Sequence, residues 1–212
     1  MKDISNLRKE YTQSQLTIDS LEKSPIRQFQ KWFDQALKVA ILEPNAMVLS
    51  TVDNDNIPSQ RTVLLKYYDH LGFVFFSNYT SRKAKHLDTN TNASLLFPWY
   101  ALERQVIING KVERITVEES KSYFFNRPYG SQLGAWVSKQ STVIKSRQVL
   151  ENRLSELKQK FPEGKVPFPN FWGGYRLKPK NIEFWQGGVN RLHDRILYKE
   201  VESEWSIVRL SP

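Results

Sequence analysis

Residues 184–195, FWQGGVNRLHDR, place Arg191, His193 and Arg195 at every second position. Alternate residues of a β-strand share a face, so a strand that runs back to Asn190 would present the three side chains together. Two guanidinium groups beside an imidazole would hold an anionic or electron-rich ring and stabilise negative charge that develops in a reaction. The alternative is an exposed edge strand whose basic face opposes aggregation.

The residues before this basic run favour a ligand. Gly187 and Gly188 allow a bound molecule to approach the backbone closely, and Trp185 and Gln186 precede them. The chain has 6 tryptophans and 13% aromatic residues, which suits a flat ring, although most aromatic side chains in any protein belong to the core. His193 by itself is only a candidate acid or base.

A second cluster, TSRKAKH, begins at Thr80 and has the pattern of a helix start. Thr80 or Ser81 is a suitable N-cap, yet Arg82 and Lys83 follow at once. Cations in the first turn oppose the helix dipole by about 0.3–1 kcal/mol each. An anion bound there would offset this cost, so the sequence predicts a phosphate site. The alternative is a surface helix with unfavourably placed charges.

Two further segments carry weaker signals. In RTVLLK, strand alternation puts Arg61 and Lys66 on opposite faces unless a bulge or a strand end intervenes. In NRPYGSQ, a turn after a helix presents Arg127 and Ser131, which suits a second phosphate. A helix end with a solvated arginine explains the second segment equally well.

The composition excludes several classes of protein. The 212 residues are enough for one domain with a substantial core, and 40% are hydrophobic and 25% charged. Without cysteine, disulfides and thiolate metal sites are impossible, and the 3 histidines lack ligand-like spacing. We find no signal-peptide core and no apolar run near the ~18 residues of a membrane span. We therefore expect a cytoplasmic protein without a metal or a membrane partner.

The net charge of +9 is explained either by a basic, solvated surface or by an anionic partner, such as nucleic acid or a phosphate. Nucleic acid requires a broad stripe of Lys and Arg, whereas a phosphate requires a few basic and N–H groups that converge. The basic residues here form short clusters, which favours the small ligand. No G-x-G-x-x-G, Walker A, G-x-S-x-G or H-E-x-x-H pattern supports a dinucleotide, nucleoside triphosphate, hydrolase or zinc-protease site.

Most of the chain has the period of short strands. Segments within 46–78 predict a three-stranded meander, and 93–100 predicts a further strand. Residues 103–115 predict a hairpin or one long strand bent at Asn109. Four more strand-like segments follow: NFWGGYRL, NIEFWQG, LHDRILYK and EWSIVRL. The pattern predicts a mainly β fold with peripheral helices (α+β), arranged as an antiparallel barrel or two β layers.

Besides the short helix that begins near Thr80, three helices are expected beside the strands. One begins at Pro25 with Ser24 as its N-cap and carries an apolar stripe. Another begins with a capping box of Thr116 and Glu119. A long helix spans about 143–161. The two stripes expected to be buried are Ile26, Phe29, Phe33, Leu37 and Ala40, and Leu150, Leu154, Leu157 and Phe161.

The first 23 residues differ from the rest of the chain. Residues 1–23 are polar and have no clear periodicity, so we expect a flexible arm that orders only against another surface. We find no repeat and no linker in the remainder. We therefore expect a single domain over residues 24–212.

Six segments in chain order are RTVLLK, FFSNYTSRKA, LERQV, NRPYGSQLGAWVSKQS, FWGGY and FWQGGVNRLHDR. Together they resemble the pyridoxine/pyridoxamine 5′-phosphate oxidase family, from about Arg8 to Pro212. The resemblance implies a split β-barrel of antiparallel, Greek-key-like topology. It also implies a homodimer with one FMN per subunit, bound at the subunit interface.

The resemblance implies that FMN contacts residues from many parts of the chain. These are Arg61, Thr62, Val63, Leu64, Leu65, Lys66, Phe76, Ser77, Arg82, Lys83, Gln105, Gln140, Ser141, Trp185 and Arg195. Arg82 and Lys83 coincide with the anion site inferred at the helix start. Ser77 stands where the family commonly has Thr, and Asn126 where it commonly has Ser; both keep hydrogen-bonding capacity.

The resemblance also implies substrate and catalytic residues. Lys66, Tyr123, Arg127 and Ser131 would hold the substrate phosphate. Arg191 and His193 would contact the pyridine ring, and Arg195 would make the flavin a better electron acceptor. Arg8 and Tyr11 in the arm would close over the substrate.

The implied activity is oxidation of pyridoxamine 5′-phosphate or pyridoxine 5′-phosphate to pyridoxal 5′-phosphate. Hydride would pass from C4′ to flavin N5, with O2 as acceptor, H2O2 as product and ammonia released from the amine. A non-catalytic FMN-binding relative is the first alternative, because a fold does not determine a function. It would need no second phosphate site, so Arg127 and Ser131 favour the oxidase. A nucleic-acid-binding module is supported only by charge and aromatic content.

Overall fold

The computed structural model describes residues 2–7, 10–12, 15–39 and 41–212. Within them the chain forms five α-helices and nine β-strands. The helices are α1 Pro25–Lys38, α2 Arg82–Thr89, α3 Val117–Phe125, α4 Tyr129–Val137 and α5 Gln148–Lys160. The strands are β1 Ala46–Val52, β2 Pro58–Leu64, β3 Tyr67–Asp69, β4 Gly72–Asn78, β5 Asn92–Trp99, β6 Arg104–Arg114, β7 Trp172–Gln186, β8 Asp194–Val201 and β9 Glu204–Leu210. Short 3-10 turns are formed by Ile18–Ser20, Tyr100–Leu102 and Val189–Arg191.

The sheet has the strand order β2-β1-β5-β6-β7-β4-β3, and β8 pairs with both β7 and β9. The registers of β3 with β4, β4 with β7, β7 with β8 and β8 with β9 are all antiparallel. Residues 172–177 of β7 pair with β4, and residues 181–186 pair with β8. The predicted mainly β fold with peripheral helices is therefore confirmed. None of the helices in the described ranges is long and apolar enough to cross a membrane.

The chain divides into two compact units, and the first comprises residues 1–49, 94–110 and 179–212. Its core joins α1 to strands through aromatic contacts. The ring of Phe29 lies 5.0 Å from that of Phe97, and the ring of Trp32 lies 5.2 Å from that of Phe184. All four side chains are buried, which removes large apolar areas from water.

The second unit comprises residues 50–93 and 111–178. Its helical part packs around a cluster that includes Phe124, Leu133 and Trp172. Phe124 is on α3 and Leu133 on α4, so the turn between these helices is held against Trp172 of β7. That turn carries Arg127 and leads to Ser131. Burial of the aromatic cluster thus determines where these two polar side chains lie.

The helix starts are those that the sequence predicts. Ser24 accepts a hydrogen bond from Arg27 N at the start of α1, and Ser81 accepts one from Ala84 N at the start of α2. Thr116 and Glu119 form the predicted capping box of α3. Each cap depends on residues within three positions of one another, which explains why the sequence was sufficient.

The predicted three-stranded meander over 46–78 is only partly right. The second strand, expected over 59–69, is divided into β2, which pairs with β1, and β3, which pairs with β4; on its other side β4 pairs with β7. In β4 six of seven residues are buried, so both faces of the strand are covered. A strand of this kind belongs to the interior of a sheet and needs two hydrogen-bonded neighbours.

Two long strands occur where the sequence predicted either a hairpin or a bent strand, and where it predicted two separate strands. Residues 104–114 form one continuous strand, β6, which decides against the hairpin at Asn109. The two strands predicted over 170–187 are one strand, β7, which contains Pro179. Proline has no N–H to donate, and it lies between the residues that pair with β4 and those that pair with β8.

Two predicted apolar stripes are only partly right. In α1 the buried apolar face includes Phe29, Trp32 and Ala36, whereas Leu37 is 57% exposed. The buried face thus includes Trp32, which the predicted stripe left out. Ala40, also predicted for the stripe, lies outside the described residues. The helix expected from residue 143 begins at Gln148, and its leucines are only partly buried. The β-branched residues 142–144 lose side-chain freedom in a helix, which disfavours the longer form.

The strand expected to carry Arg191, His193 and Arg195 on one face is also wrong before residue 194. Residues 189–191 form a 3-10 turn, and β8 begins only at Asp194. Asn190 and Arg191 have φ values of 54° and 63°, in the left-handed region that extended strands do not use. The alternation of side chains along a strand therefore does not apply to Arg191 and His193, and it does not place them on one face with Arg195.

Candidate functional site

The second unit contains a cavity of about 710 Å³ that is lined by polar and aromatic side chains. This volume lies within the range of small-molecule and cofactor sites. The cavity brings together most of the residues predicted for FMN and for the substrate phosphate within this unit. They are Arg61, Thr62, Val63, Leu64, Lys66, Phe76, Ser77, Lys83, Tyr123, Arg127, Ser131 and Gln140.

The end of β2 explains how Arg61 and Lys66 line the same cavity. The strand stops at Leu64, and the backbone N–H of Lys66 donates to Val74 O at 2.9 Å. Alternation therefore no longer applies to Lys66, and the strand-end alternative left open by the sequence is the one that occurs. Leu65, which was predicted to contact FMN, is buried and is not part of the cavity lining.

Lys83 is the centre of a basic group in this cavity. Its Nζ atom donates to Gln140 Oε1 at 2.8 Å and to Ser77 Oγ at 3.1 Å, and in the described ranges it has no carboxylate partner. Burial, together with the charges of Arg61 and Arg82, lowers the pKa of Lys83 to about 8. Burial and the charge of Arg82 also lower the pKa of Arg61. Cations that destabilise one another in this way are stabilised by a bound anion.

The start of α2 contributes fewer residues to the cavity lining than the sequence predicts. Arg82 and Ser141 are exposed and are not among the residues that line the cavity. The backbone N–H of Arg82 donates to Ser141 Oγ at 3.2 Å, and Ser141 has a φ of 71°. Ser141 thus satisfies one N–H group at the helix start, and the Lys83 side chain is the cation that reaches the cavity.

Arg127 forms a second cationic site in the same cavity. Its guanidinium lies 4.8 Å from the centroid of the Trp172 ring. Its Nη1 atom is buried and has no hydrogen-bond partner among the described residues, and burial lowers the pKa of Arg127. The Tyr123 ring stacks on Phe76 at 3.9 Å and contributes to the same wall. A buried guanidinium nitrogen without a hydrogen-bond partner is costly, which favours an anion bound here.

In the first unit, His193 lies between aromatic side chains. Its ring centroid is 4.7 Å from that of Trp185 and 5.7 Å from that of Tyr11. The backbone N–H of Gly188 donates to His193 Nδ1 at 3.1 Å. Because Nδ1 accepts this bond, the ring proton is on Nε2. The imidazole therefore has a defined orientation and one donor available for a ligand.

The described part of the N-terminal arm contacts the same segment. A Cβ atom on Gly187 would lie 2.7 Å from Cγ of Tyr11, so the glycine is required for this approach. Leu16 N donates to Asp194 Oδ2 at 2.8 Å, and Arg209 Nη2 donates to Leu16 O at 2.9 Å. Side chains from β8 and β9 thus hold both backbone groups of Leu16.

The other residues predicted for the site in the first unit have surroundings that differ from those of His193. Arg191 is exposed in the turn, and Gln105 is partly buried on β6. Arg195 forms a two-point ion pair with Glu183, and the hydrogen bonds that Arg195 donates to this carboxylate raise the pKa of Arg195. Arg8, which was predicted to close over the substrate, lies outside the described residues.

Several residues that support these sites were not predicted. Thr51 and His86 are buried beside Arg61, and Glu103 is buried with a φ of 53° and accepts a hydrogen bond from Thr12 N. Asn78 accepts from both the N–H and the hydroxyl of Thr80, which shapes the turn before α2. Only Asn78 had a local signal, the Asn-x-Thr spacing of an Asx turn. The others act through contacts that are distant in sequence.

Known proteins match this chain over almost its whole length. The sequence profile of the pyridoxamine 5′-phosphate oxidase family matches residues 33–161. The profile of the pyridoxine 5′-phosphate oxidase C-terminal dimerisation region matches residues 172–212. The second profile includes the Trp185, His193 and Arg195 segment.

Curated relatives named pyridoxine/pyridoxamine 5′-phosphate oxidase have closely similar sequences. That of Aliarcobacter butzleri is 54% identical over 211 residues, which cover 99% of this chain and 100% of the relative. That of Vesicomyosocius okutanii is 55% identical over 210 residues, which cover 99% of each.

Solved structures confirm the predicted split-barrel fold. PhzG from Burkholderia lata, solved with tetrahydrophenazine-1-carboxylic acid, superposes with a TM-score of 0.87 at 29% identity, covering 92% of this chain and 95% of that one. A pyridoxamine 5′-phosphate oxidase-related FMN-binding protein from Nostoc punctiforme has a TM-score of 0.71 at 16% identity, covering 91% and 100%. At that identity the second likeness concerns the fold alone. With the profile and the curated relatives, these findings establish that the chain belongs to the pyridoxine/pyridoxamine 5′-phosphate oxidase family.

Proposed function

We propose that this protein oxidises pyridoxamine 5′-phosphate and pyridoxine 5′-phosphate to pyridoxal 5′-phosphate, with FMN as cofactor and O2 as electron acceptor. One observation carries the proposal beyond family membership. A single cavity is lined by the Lys83 ammonium and the Arg127 guanidinium, neither of which has a carboxylate partner among the described residues. FMN and the substrate each bring one phosphate, so the cavity suits both ligands together.

The Lys83 group would hold FMN. Its buried ammonium, the neighbouring Arg61 and the hydroxyl of Ser77 supply donors of the kind that a phosphate needs. Residues 61–64 and Gln140 would complete the cofactor site, together with Gln105, Trp185 and Arg195. When bound, FMN supplies a ring that accepts hydride at N5 and passes the electrons to O2, which yields H2O2.

The Arg127 group would hold the substrate phosphate. Lys66, Tyr123 and Ser131 line the same cavity and can add donors to those of Arg127. Hydrogen bonds to charged groups contribute about 1.5–3 kcal/mol each, so this group can anchor the substrate. Anchoring the phosphate limits the positions open to the C4′ carbon, from which hydride leaves.

His193 and Arg191 would act on the pyridine ring. The bond from Gly188 leaves the His193 proton on Nε2, so this atom can donate to a ring substituent. We assign both residues a role in orienting the substrate for hydride loss. The amine substrate then yields an imine that water hydrolyses to the aldehyde and ammonia, and the alcohol yields the aldehyde directly.

The arm would close over the bound substrate. Tyr11 already contacts the His193 ring, and Arg8 precedes it by three residues. We propose residues 1–23 as this arm and residues 24–212 as one FMN-binding domain. We also propose a homodimer with FMN at the subunit interface, which the match of residues 172–212 to a dimerisation region supports.

The decisive experiment is anaerobic. Purified protein with FMN is mixed with pyridoxamine 5′-phosphate or pyridoxine 5′-phosphate while the visible flavin absorbance is recorded. We expect bleaching that reverses on admission of air, with pyridoxal 5′-phosphate formed in stoichiometric amount. A bound flavin that neither compound bleaches would contradict the proposal and favour a non-catalytic FMN-binding protein.

A variant separates binding from turnover. Arg191→Leu should lower turnover strongly and leave the flavin content of the purified protein close to that of the wild type. Loss of flavin with normal residual turnover would contradict the assignment of Arg191 to the substrate.

A further inference from the structure

We propose that Thr51 and His86 are positioning residues that fix the Arg61 guanidinium in the anion site. The inference rests on the proposed function, because it concerns how this chain prepares its site for the FMN phosphate. Neither residue lines the cavity. Both act through Arg61, so their effect should appear as a change in cofactor affinity.

The three side chains form a short hydrogen-bonded chain inside the second unit. Arg61 Nη1 donates to Thr51 Oγ1 at 2.8 Å, and Thr51 Oγ1 lies 3.2 Å from His86 Nδ1. Thr51 is fully buried and His86 is 7% exposed, so water competes little for these bonds. His86 is three residues after Lys83 on α2 and therefore on the same side of that helix.

The direction of each hydrogen bond follows from the donors present. A guanidinium can only donate, so the Thr51 oxygen accepts from Arg61. The Thr51 hydroxyl hydrogen then needs an acceptor, and within the described residues His86 Nδ1 is the one in reach. This arrangement satisfies both groups when Nδ1 carries no proton. His86 is thus assigned the tautomer with its proton on Nε2.

Arg61 needs such a restraint because its neighbours repel it. The charges of Arg82 and Lys83 act on the same region, and the pKa of Arg61 is lowered by burial and by Arg82. In the absence of an anion, repulsion would favour conformers that carry the guanidinium away. A fixed guanidinium is already ordered when the phosphate arrives, which reduces the entropic cost of binding.

Isosteric variants test this role. Thr51→Val keeps the shape and removes the hydroxyl, and Thr51→Ser keeps the hydroxyl. We expect Thr51→Val to weaken FMN binding about tenfold, the size typical of one hydrogen bond to a charged group, and Thr51→Ser to stay within about threefold of the wild type. Affinity is measured by quenching of flavin fluorescence, independently of turnover.

The His86 variants follow the same logic. His86→Asn keeps an acceptor near the position of Nδ1, and His86→Leu removes it. We expect a loss of about threefold to tenfold in FMN affinity for His86→Leu and recovery in His86→Asn. Ser120→Ala is the matched control, because its buried hydroxyl accepts from Gly174 N and lies outside the cavity lining. It should lower thermal stability and leave FMN affinity unchanged.

Coupling to Arg61 distinguishes positioning from a general structural effect. In an Arg61→Lys background, Thr51→Val should have little further effect on FMN affinity. An equal loss in both backgrounds, or wild-type affinity in Thr51→Val, would overturn the proposal.

A measurement on the wild type keeps the proposal testable even if a variant does not fold. Nitrogen-15 NMR of the imidazoles should show an unprotonated Nδ1 for His86, and a protonated Nδ1 would overturn the proposal. Failure of the proposed function is distinguishable from either result, because the wild-type protein would then either bind no FMN or bind a flavin that neither substrate bleaches, and the Thr51 and His86 effects are measured on FMN affinity alone.

Discussion

Arg195 and Glu183 form an ion pair across the neighbouring strands β8 and β7. Arg195 Nε lies 2.7 Å from Glu183 Oε1, and Nη2 lies 3.1 Å from Oε2. The Glu183 side chain is only 12% exposed, whereas that of Arg195 is 32% exposed. Water can therefore replace the partner of Arg195 more easily than the partner of Glu183, so loss of the ion pair costs the carboxylate more.

Removal of Arg195 should destabilise the protein through the carboxylate left behind. We expect Arg195→Leu to lower the free energy of unfolding by about 1.5–3 kcal/mol, the contribution of hydrogen bonds to a charged group. Urea denaturation of the FMN-free protein measures it. A second substitution, Glu183→Leu, should restore at least half of the loss, and simple additivity of the two losses would contradict this account.

A methyl group at Gly187 should displace the arm. Its Cβ would lie 2.7 Å from Tyr11 Cγ, which is too close for an undisturbed contact. We expect Gly187→Ala to raise the KM for pyridoxamine 5′-phosphate about tenfold and to speed proteolysis within the first 23 residues, while FMN affinity changes little. Tyr11→Ala is the matched control. If Gly187→Ala still matters when Tyr11 is absent, the contact is not the cause.

Arg127 should be costly to the empty protein and necessary for the substrate. Arg127→Met keeps the length of the side chain and removes a half-buried charge whose Nη1 atom has no hydrogen-bond partner among the described residues. We expect stability within about 1 kcal/mol of the wild type, because the lost stacking on Trp172 is offset by the removed charge. The KM for pyridoxamine 5′-phosphate should rise about 10–100-fold. An equal loss of FMN affinity would show that Arg127 serves the cofactor instead.

FMN binding should weaken as the pH rises through about 8. In the FMN-free protein the pKa of Lys83 is lowered from 10.5 to about 8, so the ammonium loses its proton above that pH. The FMN phosphate is doubly charged there and does not itself titrate. Fluorescence titrations from pH 7 to 9.5 measure the dissociation constant. Lys83→Met should bind FMN weakly and without this pH dependence.

The same pKa determines the effect of pH on folding stability. Between about pH 8 and 10.5 the unfolded chain holds a proton on Lys83 that the folded chain has released. The contribution of this group to stability therefore rises with pH over that interval. Unfolding midpoints of wild type and Lys83→Met should converge toward the upper end of the interval. A gap that widens with pH would contradict the shift.

The sequence alone was sufficient for local features. The caps at Ser24, Ser81 and Thr116 depend on atoms within one helical turn, so nearby residues determine them. The cluster at Arg82 and Lys83 predicted an anion site, because unfavourable charges at a helix start are visible in the sequence. The family resemblance identified most cavity residues in the same way, through short continuous motifs.

Only the tertiary structure decided how these parts are arranged. Thr51 contacts His86, which is 35 residues away in sequence, and Arg195 pairs with Glu183, which is 12 residues away. Sequence patterns do not predict which residues meet over such separations. Asn190 has a left-handed φ although it is not a glycine, so the turn had no signal in the sequence. The strand predicted before Asp194 was therefore wrong. The direction of a hydrogen bond and the burial of a side chain depend on which atoms pack together in the folded chain. They determine which arginine is paired and which one remains available for a phosphate.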